Sequence, residues 1–314
     1  RAMRNNNNPN FAQAIRNNPT RSAYDENSNT GYNIWLYEDL QFNTIAAVKL
    51  YDYYGLDQWL KPEVSAKLNI LPVQGLSYTQ TMGYELRQWE NQTYRWSTHQ
   101  DEVSVNRNGT AYQGFSKTEN INAEGYFNYM NSFDKHNINA TLGYSYYERN
   151  SQGFNMTNYN FPVEATALWD IGTGSYNKLG QASLSSSKDI TQKLLAYFAR
   201  VNYDYDGKYI VSASFRRESS SKFAKNNRWG NFWSVSAGWR ISDEPWMENA
   251  SWIDDLKIRA AYGVTGNSDF SSSYASMSYG SDGYFMMPAS GNYAIAYGPA
   301  VTLNPNLKWE EQLG

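Results

Sequence analysis

The stretch YFARVNYDYDGKYIVSASFRRESSSKF, Tyr197–Phe223, alternates apolar and polar residues with one pause, at Asp206-Gly207. Tyr197, Ala199, Val201, Tyr203 and Tyr205, then Tyr209, Val211, Ala213 and Phe215, hold one set of positions. Arg200, Asn202 and Asp204, then Ser212, Ser214 and Arg216, hold the other. Successive side chains of a strand point to opposite faces of its sheet, so the pattern describes a ribbon with one apolar and one polar face. Asp-Gly supplies the positive φ angles that a type I′ hairpin turn requires. The fold then depends on which solvent each face meets.

Composition narrows that choice. Among 314 residues there are 27 Tyr, 11 Trp and 13 Phe, yet mean hydropathy is -0.71. Apolar residues are therefore spread thinly over a large sheet. No window approaches the roughly 20 apolar residues of a spanning helix, whereas a spanning strand needs only about 9–11 residues, half of them apolar. A formal net charge of -3 and a pI of about 5.6 argue against a nucleic-acid partner, which requires a basic surface. The absence of cysteine rules out disulfides and thiolate metal sites. His99 and His136, the only histidines, lie far apart, which disfavours a His-rich metal site or a Ser-His-Asp triad. No cofactor, no metal and no enzymatic activity are expected. The opening residues RAMRNNNNPNF lack the apolar core and small-residue cleavage site of a signal peptide. The mature chain is expected either to start there or to continue upstream.

Period-2 segments recur at Val64–Leu71, Leu76–Gln88, Thr110–Asn131, Asn137–Arg149, Leu194–Asp206, Lys208–Arg217, Phe232–Ser242 and Leu256–Thr265, with another beginning near Leu307. Their apolar faces are consistent: Ile138, Ala140, Leu142, Tyr144 and Tyr146; Trp233, Val235, Ala237, Trp239 and Ile241; Leu256, Ile258, Ala260, Tyr262 and Val264. Connections sort into short ones (71–75, 131–137, 205–208) and long ones (89–109, 150–193, 266–306), with the 242–255 stretch intermediate. Tyr and Trp crowd the strand ends, as in the aromatic girdles at membrane interfaces. The expected fold is all-β: an antiparallel transmembrane β-barrel segment with short periplasmic turns, at Asp134-Lys135 and Asp206-Gly207, and long extracellular loops, around Ser220 and Ser272. The apolar face would meet lipid and the polar face a water-filled lumen. A soluble sandwich or propeller with an aromatic core is the alternative that periodicity leaves open.

The stretch LLAYFARVNYDYDGKYIVSASFRRESSSKFAKNNRWGNFWSVSAGWRISDEPWM resembles part of the SusC/RagA-type TonB-dependent outer-membrane transporters, and WIDDLKIRAAYGVTGN and LNPNLKWEE match that family in order and spacing. The resemblance runs from about Phe42 to the C-terminus and is most specific between Tyr197 and Asn267. It implies a plugged barrel of about 22 strands, coupling to the TonB complex, a SusD-type surface lipoprotein as partner, outer-membrane lipid as surroundings, and import of oligosaccharides or peptides. No plug sequence or TonB-binding segment is visible, and the chain ends at Gly314 just inside a strand. The expectation is that residues 1–314 are an internal part of a longer transporter barrel.

Sugars are bound by aromatic faces and planar polar groups. The candidate substrate-binding residues are Trp96, Trp169 and Trp229 among the loop aromatics, with Trp89, Tyr176, Tyr284 and Tyr293 behind them. On the polar face they are Arg216, Arg240 and Arg259, with Arg200 and Lys257. Each has a bland counterpart: interface anchoring or loop packing for the aromatics, and for the basic residues solvation of the wall or pairing with Asp204 and Glu124. RRESSSKFAKNNRWGNF reads as a structured bend. Asp254-Asp255, read as adjacent strand residues, would point to opposite faces and cannot act as a catalytic pair. The rivals to an importer are a soluble carbohydrate-binding or glycan-degrading β protein and a purely structural barrel or adhesin.

Overall fold

The computed structural model describes residues 15, 20–34, 43–175, 182–248, 252–268, 279–286, 293–299 and 306–314. The strands are β1 (Tyr51–Leu60), β2 (Glu63–Asn69), β3 (Leu76–Arg95), β4 (Thr110–Phe133), β5 (His136–Tyr159), β6 (Ser183–Tyr205), β7 (Tyr209–Ser220), β8 (Trp229–Arg240), β9 (Lys257–Asn267), β10 (Tyr279–Met286), β11 (Tyr293–Pro299) and β12 (Glu310–Leu313). Among the described residues, the short helices α1 (Thr44–Lys49), α2 (Gln100–Ser104) and α3 (Glu164–Ala167) lie outside the strands. The main sheet has the order β1-β3-β4-β5-β6-β7-β8-β9-β12, with β2 also on β3, while β10 and β11 pair with each other. From β3 to β9, strands neighbouring in sequence are neighbours in the sheet, the meander of an up-and-down barrel wall. Among the described residues no helix is long and apolar enough to cross a membrane.

All nine expected strands are present, and several are longer than the alternation implied. β4 and β5 each have 24 residues, about twice what a membrane crossing needs. Beyond the lipid the ladder continues, but no apolar face is required, so the polar tail NSQGFNMTNY of β5 carries no period-2 signal. The expected loops at 89–109 and 150–193 shrink accordingly to 96–109 and 160–182. β10 and β11 lie within the expected 266–306 loop, and neither they nor β1 were anticipated. β1 and β2 pair with β3 in one register, Leu60 opposite Leu86 and Glu63 opposite Gly83. Pro62 between them lacks an N–H but accepts one from Tyr84 at 3.0 Å, which suits an edge position.

The short connections are tightly built. Asp206 and Gly207 have φ of 55° and 68°, and Lys208 N–H donates to Tyr205 O at 3.0 Å, closing the expected type I′ turn. Asp206 N–H donates to Lys135 O at 2.7 Å, and Lys135 Nζ donates to the Asp206 carboxylate at 2.9 Å. Two successive hairpin turns thus lock to each other. The lysine's hydrogen bond holds the Asp206 carboxyl below the usual carboxylate range. Ser220, expected in a long loop, instead ends β7 and is fully buried; the loop proper is 221–228. Ser272 lies outside the described residues.

The chain packs as two compact units. One comprises Arg1–Leu60, Glu85–Glu119 and Asn150–Ile190, and the other Lys61–Tyr84, Asn120–Arg149 and Thr191–Gly314. The first has a small core of Tyr94, Ala111, Phe161 and Ala167; the second has one of Phe223, Phe232 and Trp309.

In the second unit the faces are inverted relative to a water-soluble sheet. Along β7, Tyr209, Val211, Ala213 and Phe215 are exposed, while Ile210, Ser212, Ser214 and Arg216 are half-buried. β8 repeats this, with Trp233, Val235, Ala237 and Trp239 exposed. Register joins them into one apolar surface: Val211 faces Ala237, Phe215 faces Trp233, Ala237 faces Ala260 and Val235 faces Tyr262. Phe215 is 46% exposed, Tyr262 54% and Ile258 58%. So large a continuous apolar patch is foreign to a soluble monomer and ordinary for a lipid-facing wall.

Aromatic rows bound that surface. At the short-turn end, His136 lies 5.4 Å from Phe133 and 5.0 Å from Tyr205 between ring centres, and Tyr205 lies 6.4 Å from Tyr209. Glu244 accepts from Tyr209 O–H at 2.6 Å and from Trp239 Nε1–H at 2.9 Å. These two hydrogen bonds, the tyrosine's foremost, hold its carboxyl below the usual range. At the loop end, Tyr197 stacks on Trp229 at 6.3 Å. From Trp239 to Trp229 the chain rises roughly 33 Å, or roughly 25 Å across a bilayer after a strand tilt of about 40°, the height of an apolar band.

Two outcomes follow. Val211→Arg is expected to cost about 2–4 kcal/mol in folding titrations of the full-length barrel, and Ser212→Arg far less, because only the first puts charge into lipid. Equal costs would undo the face assignment. With an impermeant thiol reagent on intact cells, Lys225→Cys, in the exposed 221–228 loop, is expected to label and Gly207→Cys to remain unlabelled; the reverse pattern would invert the orientation.

Candidate functional site

The polar face of the second unit is a floor of small residues set between arginines. Arg200 lies opposite Ser214, and Ser214 lies opposite Ser234. The two serine hydroxyls are 2.7 Å apart. Ser212 faces Ser236 in the adjacent row. Arg216, on this face, is held by Glu218 at 2.5 Å and donates to Ser145 Oγ at 3.3 Å. Arg259 sits opposite Gly238, where a Cβ would come within 3.4 Å of its Cγ, so the glycine makes room for the arginine stem. Arg240, at the end of β8, faces Asp243 at 3.4 Å and Asp255 at 3.9 Å.

The expected pairing of these cations with Asp204 and Glu124 does not occur. Asp204 instead accepts from Asn137 Nδ2 at 3.1 Å and from Gly207 N–H at 2.9 Å, capping the hairpin turn. Glu124 has no ion pair among the described residues. Asp254 and Asp255 lie in the expected 242–255 connection before β9, so the adjacent-strand argument does not apply to them; Ser242 Oγ–H donates to Asp255 at 3.3 Å.

Trp229 is placed on the opposite face from Arg216. It is exposed in the alternation of β8 with Trp233 and Val235, stacked on Tyr197, with the Arg217 guanidinium 5.1 Å from its ring centre. The sequence reading named it both among the strand-end aromatics of a girdle and among the loop candidates for ligand contact. Because β8 begins at Trp229, parity does apply, and it assigns the ring to the girdle.

The bend expected at RRESSSKFAKNNRWGNF is pinned by a residue not anticipated. Trp309, just before β12, packs its ring 5.2 Å from Phe223 and 5.1 Å from Phe232, and its Nε1–H donates to Arg228 O at 2.8 Å. Arg228 O also accepts from Ser220 N–H at 3.1 Å. Two stretches some eighty residues apart thus form one knot that fixes the 221–228 loop.

In the first unit, Trp96 opens the 96–109 connection, as the sequence reading expected, and packs on the small core around Tyr94. Its indole N–H donates to Asp52 at 2.8 Å and its ring meets Tyr94 edge-on at 6.0 Å. Tyr94 O–H donates to Glu164 at 3.2 Å, and Ser97 N–H donates to the same oxygen at 2.6 Å. Glu102 is fully buried, with Arg107 Nε at 3.3 Å, Arg95 at 3.5 Å and Thr110 Oγ1–H donating at 2.7 Å. Removing either arginine would leave part of that charge uncompensated. His99 caps α2: its Nδ1 accepts from Asp101 N–H at 3.1 Å, and burial pushes its pKa down, so the ring stays neutral.

Trp169 is different. It follows α3, is 63% exposed, and meets Tyr54 edge-on at 5.5 Å. Among the candidate tryptophans it is the one with a free face outside the girdle. Trp89 is a half-buried residue of β3, opposite Asp57. Tyr176 lies outside the described residues, and of Tyr284 and Tyr293 only the strand positions are described. Among the described residues no cluster of His, Asp and Glu could hold a metal.

The family described as TonB dependent receptor-like, beta-barrel matches residues 2–312. The chain belongs to that family. It is of the SusC/RagA type and lies in the outer membrane, where the exposed apolar face has its lipid. The TonB-dependent receptor P39 of Formosa agariphila is 30% identical over 76% of this chain and 22% of its own length. The TonB-dependent receptor SusC of Bacteroides thetaiotaomicron is 33% identical over 38% of the chain and 12% of its own length. The solved RagAB peptide transporter superimposes with a TM-score of 0.73 at 21% identity, covering 87% of this chain and 29% of the solved one. The chain thus spans under a third of the length of these relatives.

Phe223→Ala, which empties the fully buried ring site of the Trp309 knot, is expected to destabilise the full-length receptor by about 3–5 kcal/mol and to open the 221–228 loop to protease. Unchanged unfolding and proteolysis would show that the knot is dispensable. His99, with its pKa lowered in the fold, contributes stability that is present above the ordinary histidine range near 6.5 and is lost as pH falls through the lower, folded value. Amide exchange at Gln100–Ser104, corrected for intrinsic rates, is therefore expected to quicken between pH 7 and 5, and His99→Asn, which keeps a cap without titrating, is expected to abolish the change.

Proposed function

We propose that this chain forms part of the barrel wall of an importer that takes oligosaccharides or peptides across the outer membrane. In this reading import is energised through the TonB complex, and a SusD-type lipoprotein closes the entrance. The plug and the remaining strands lie in parts of the transporter other than residues 1–314. The carrying observation is the inverted sheet: an apolar face open to lipid, backed by a face of serines and arginines suited to a watery conduit. Membership of the TonB-dependent receptor family supports the energy source. The likeness to SusC and to the solved RagAB peptide transporter supports the partner and peptides as one substrate class; oligosaccharides rest on the sequence resemblance.

The work proposed is carriage rather than catalysis. Oligosaccharide hydroxyls and peptide carbonyls both accept hydrogen bonds from guanidinium groups. Arg200 and Arg259, which have no ion pair among the described residues, are therefore the wall's open donors, with Arg216 and Arg240 partly engaged by carboxylates. Trp169 with Tyr54 is the aromatic platform of the first unit, and Trp96 buttresses the wall behind its own core.

The test uses the full-length receptor with its neighbouring lipoprotein in cells, supplied with labelled oligosaccharides and peptides. Uptake of one class is expected to require TonB and to fall about fivefold in affinity for Trp169→Ala, the loss of roughly 1 kcal/mol of aromatic contact. Uptake of either class that persists without TonB would overturn the energised reading.

A further inference from the structure

The outward face carries a cation that the transport reading does not use. Arg217 continues the exposed series Tyr209, Val211, Ala213 and Phe215 at the loop end of β7. It lies directly opposite Tyr197 on β6 and Asn231 on β8. Its guanidinium carbon stands 5.1 Å from the centre of the Trp229 ring, and that ring stacks on Tyr197 at 6.3 Å with 14° between planes. The Trp229 ring is the one side-chain partner described for Arg217. Lys193, just before the first β6–β7 pair, is matched by Glu148 at 3.3 Å. Arg216, on the other face, is matched by Glu218.

We propose that Arg217, with Trp229 and Tyr197, binds the phosphate of a lipid headgroup in the leaflet nearest the long loops. A guanidinium laid over an indole has one face covered and keeps its in-plane N–H donors free, an arrangement that suits bidentate contact with a phosphate. The position is at headgroup depth, because Tyr197 and Trp229 mark the upper girdle and Phe215 and Ala213 below them face the acyl region. A carboxylate partner from this chain is absent among the described residues, so the charge is left for a ligand. The occupant is a lipid rather than a soluble anion because the surface that carries Arg217 is continuous with the lipid-facing row. The site lies on the opposite face from the serine-arginine floor and does not depend on what the conduit carries.

The experiment places the full-length receptor in neutral phosphatidylcholine nanodiscs doped with bis-phosphorylated lipid A or with lipid A stripped of its phosphates. Bound lipid is counted by native mass spectrometry. Phosphorylated lipid A is expected to bind about fivefold more weakly to Arg217→Ala than to the parent, the worth of one basic residue at a charged interface. Arg217→Lys, which keeps the charge, is expected to fall between them, and added salt to weaken the parent's binding. Dephosphorylated lipid A is expected to bind parent and Arg217→Ala alike. Heat-modified mobility on gels checks that each variant is a closed barrel. Equal retention of phosphorylated lipid by parent and Arg217→Ala, or equal retention of the two lipids by the parent, would overturn the site. Inorganic phosphate competing fully at millimolar concentration would overturn its assignment to a lipid.

Discussion

In lipid a backbone N–H or C=O has no partner but another backbone group, and each one left unpaired costs several kcal/mol. That constraint organises this chain. It keeps β3 to β9 in an uninterrupted sequence of neighbours, and it makes the short connections tight enough to bond to one another, as Asp206 and Lys135 do. The same constraint confines Pro62 to the edge strand, where its missing donor is tolerated. Once the ladder is closed, the side chains are free to follow the two solvents they meet.

Those solvents explain why the protein has so little core. The sheet of the second unit buries its apolar side chains in lipid rather than in protein, so Val211, Val235 and Ile258 read as exposed. Among the described residues the cores are small: around Tyr94 and Phe161 in one unit, and around Phe223, Phe232 and Trp309, near the loop end of β8, in the other. Around them the ordinary hydrophobic effect returns, and with it the need for caps, buried ion pairs and aromatic clusters. Glu102 with its two arginines and the Trp309 knot serve the same purpose there. Each fixes a connection that lipid does not hold.

The polar face follows from the same division. Serines and glycines keep its surface low, and arginines stand where a glycine opposite leaves room, as Arg259 does beside Gly238. Charges that would be costly on the outward face are solvated on this one. The exception, Arg217, sits where the apolar band ends, and it is the aromatic girdle rather than a carboxylate that holds it.

Period-2 alternation by itself determined the strands, their faces and the short turns, because side-chain direction in a strand is a local property of the backbone. It marked Val211 and Ser212 for opposite solvents, and Asp206-Gly207 as a type I′ turn. It underestimated β3, β5 and β6, whose ends outside the lipid need no apolar face, and it missed β1, β10 and β11. The partners of side chains were decided only in three dimensions. Asp204 turned out to cap its own hairpin, and Trp96 to pack on a small core at the start of its connection. Trp309, in a stretch where a strand was expected but no packing partner, turned out to hold a loop some eighty residues before it. Such contacts arise from the register of strands far apart in the chain, and no local pattern encodes which residues that register brings face to face.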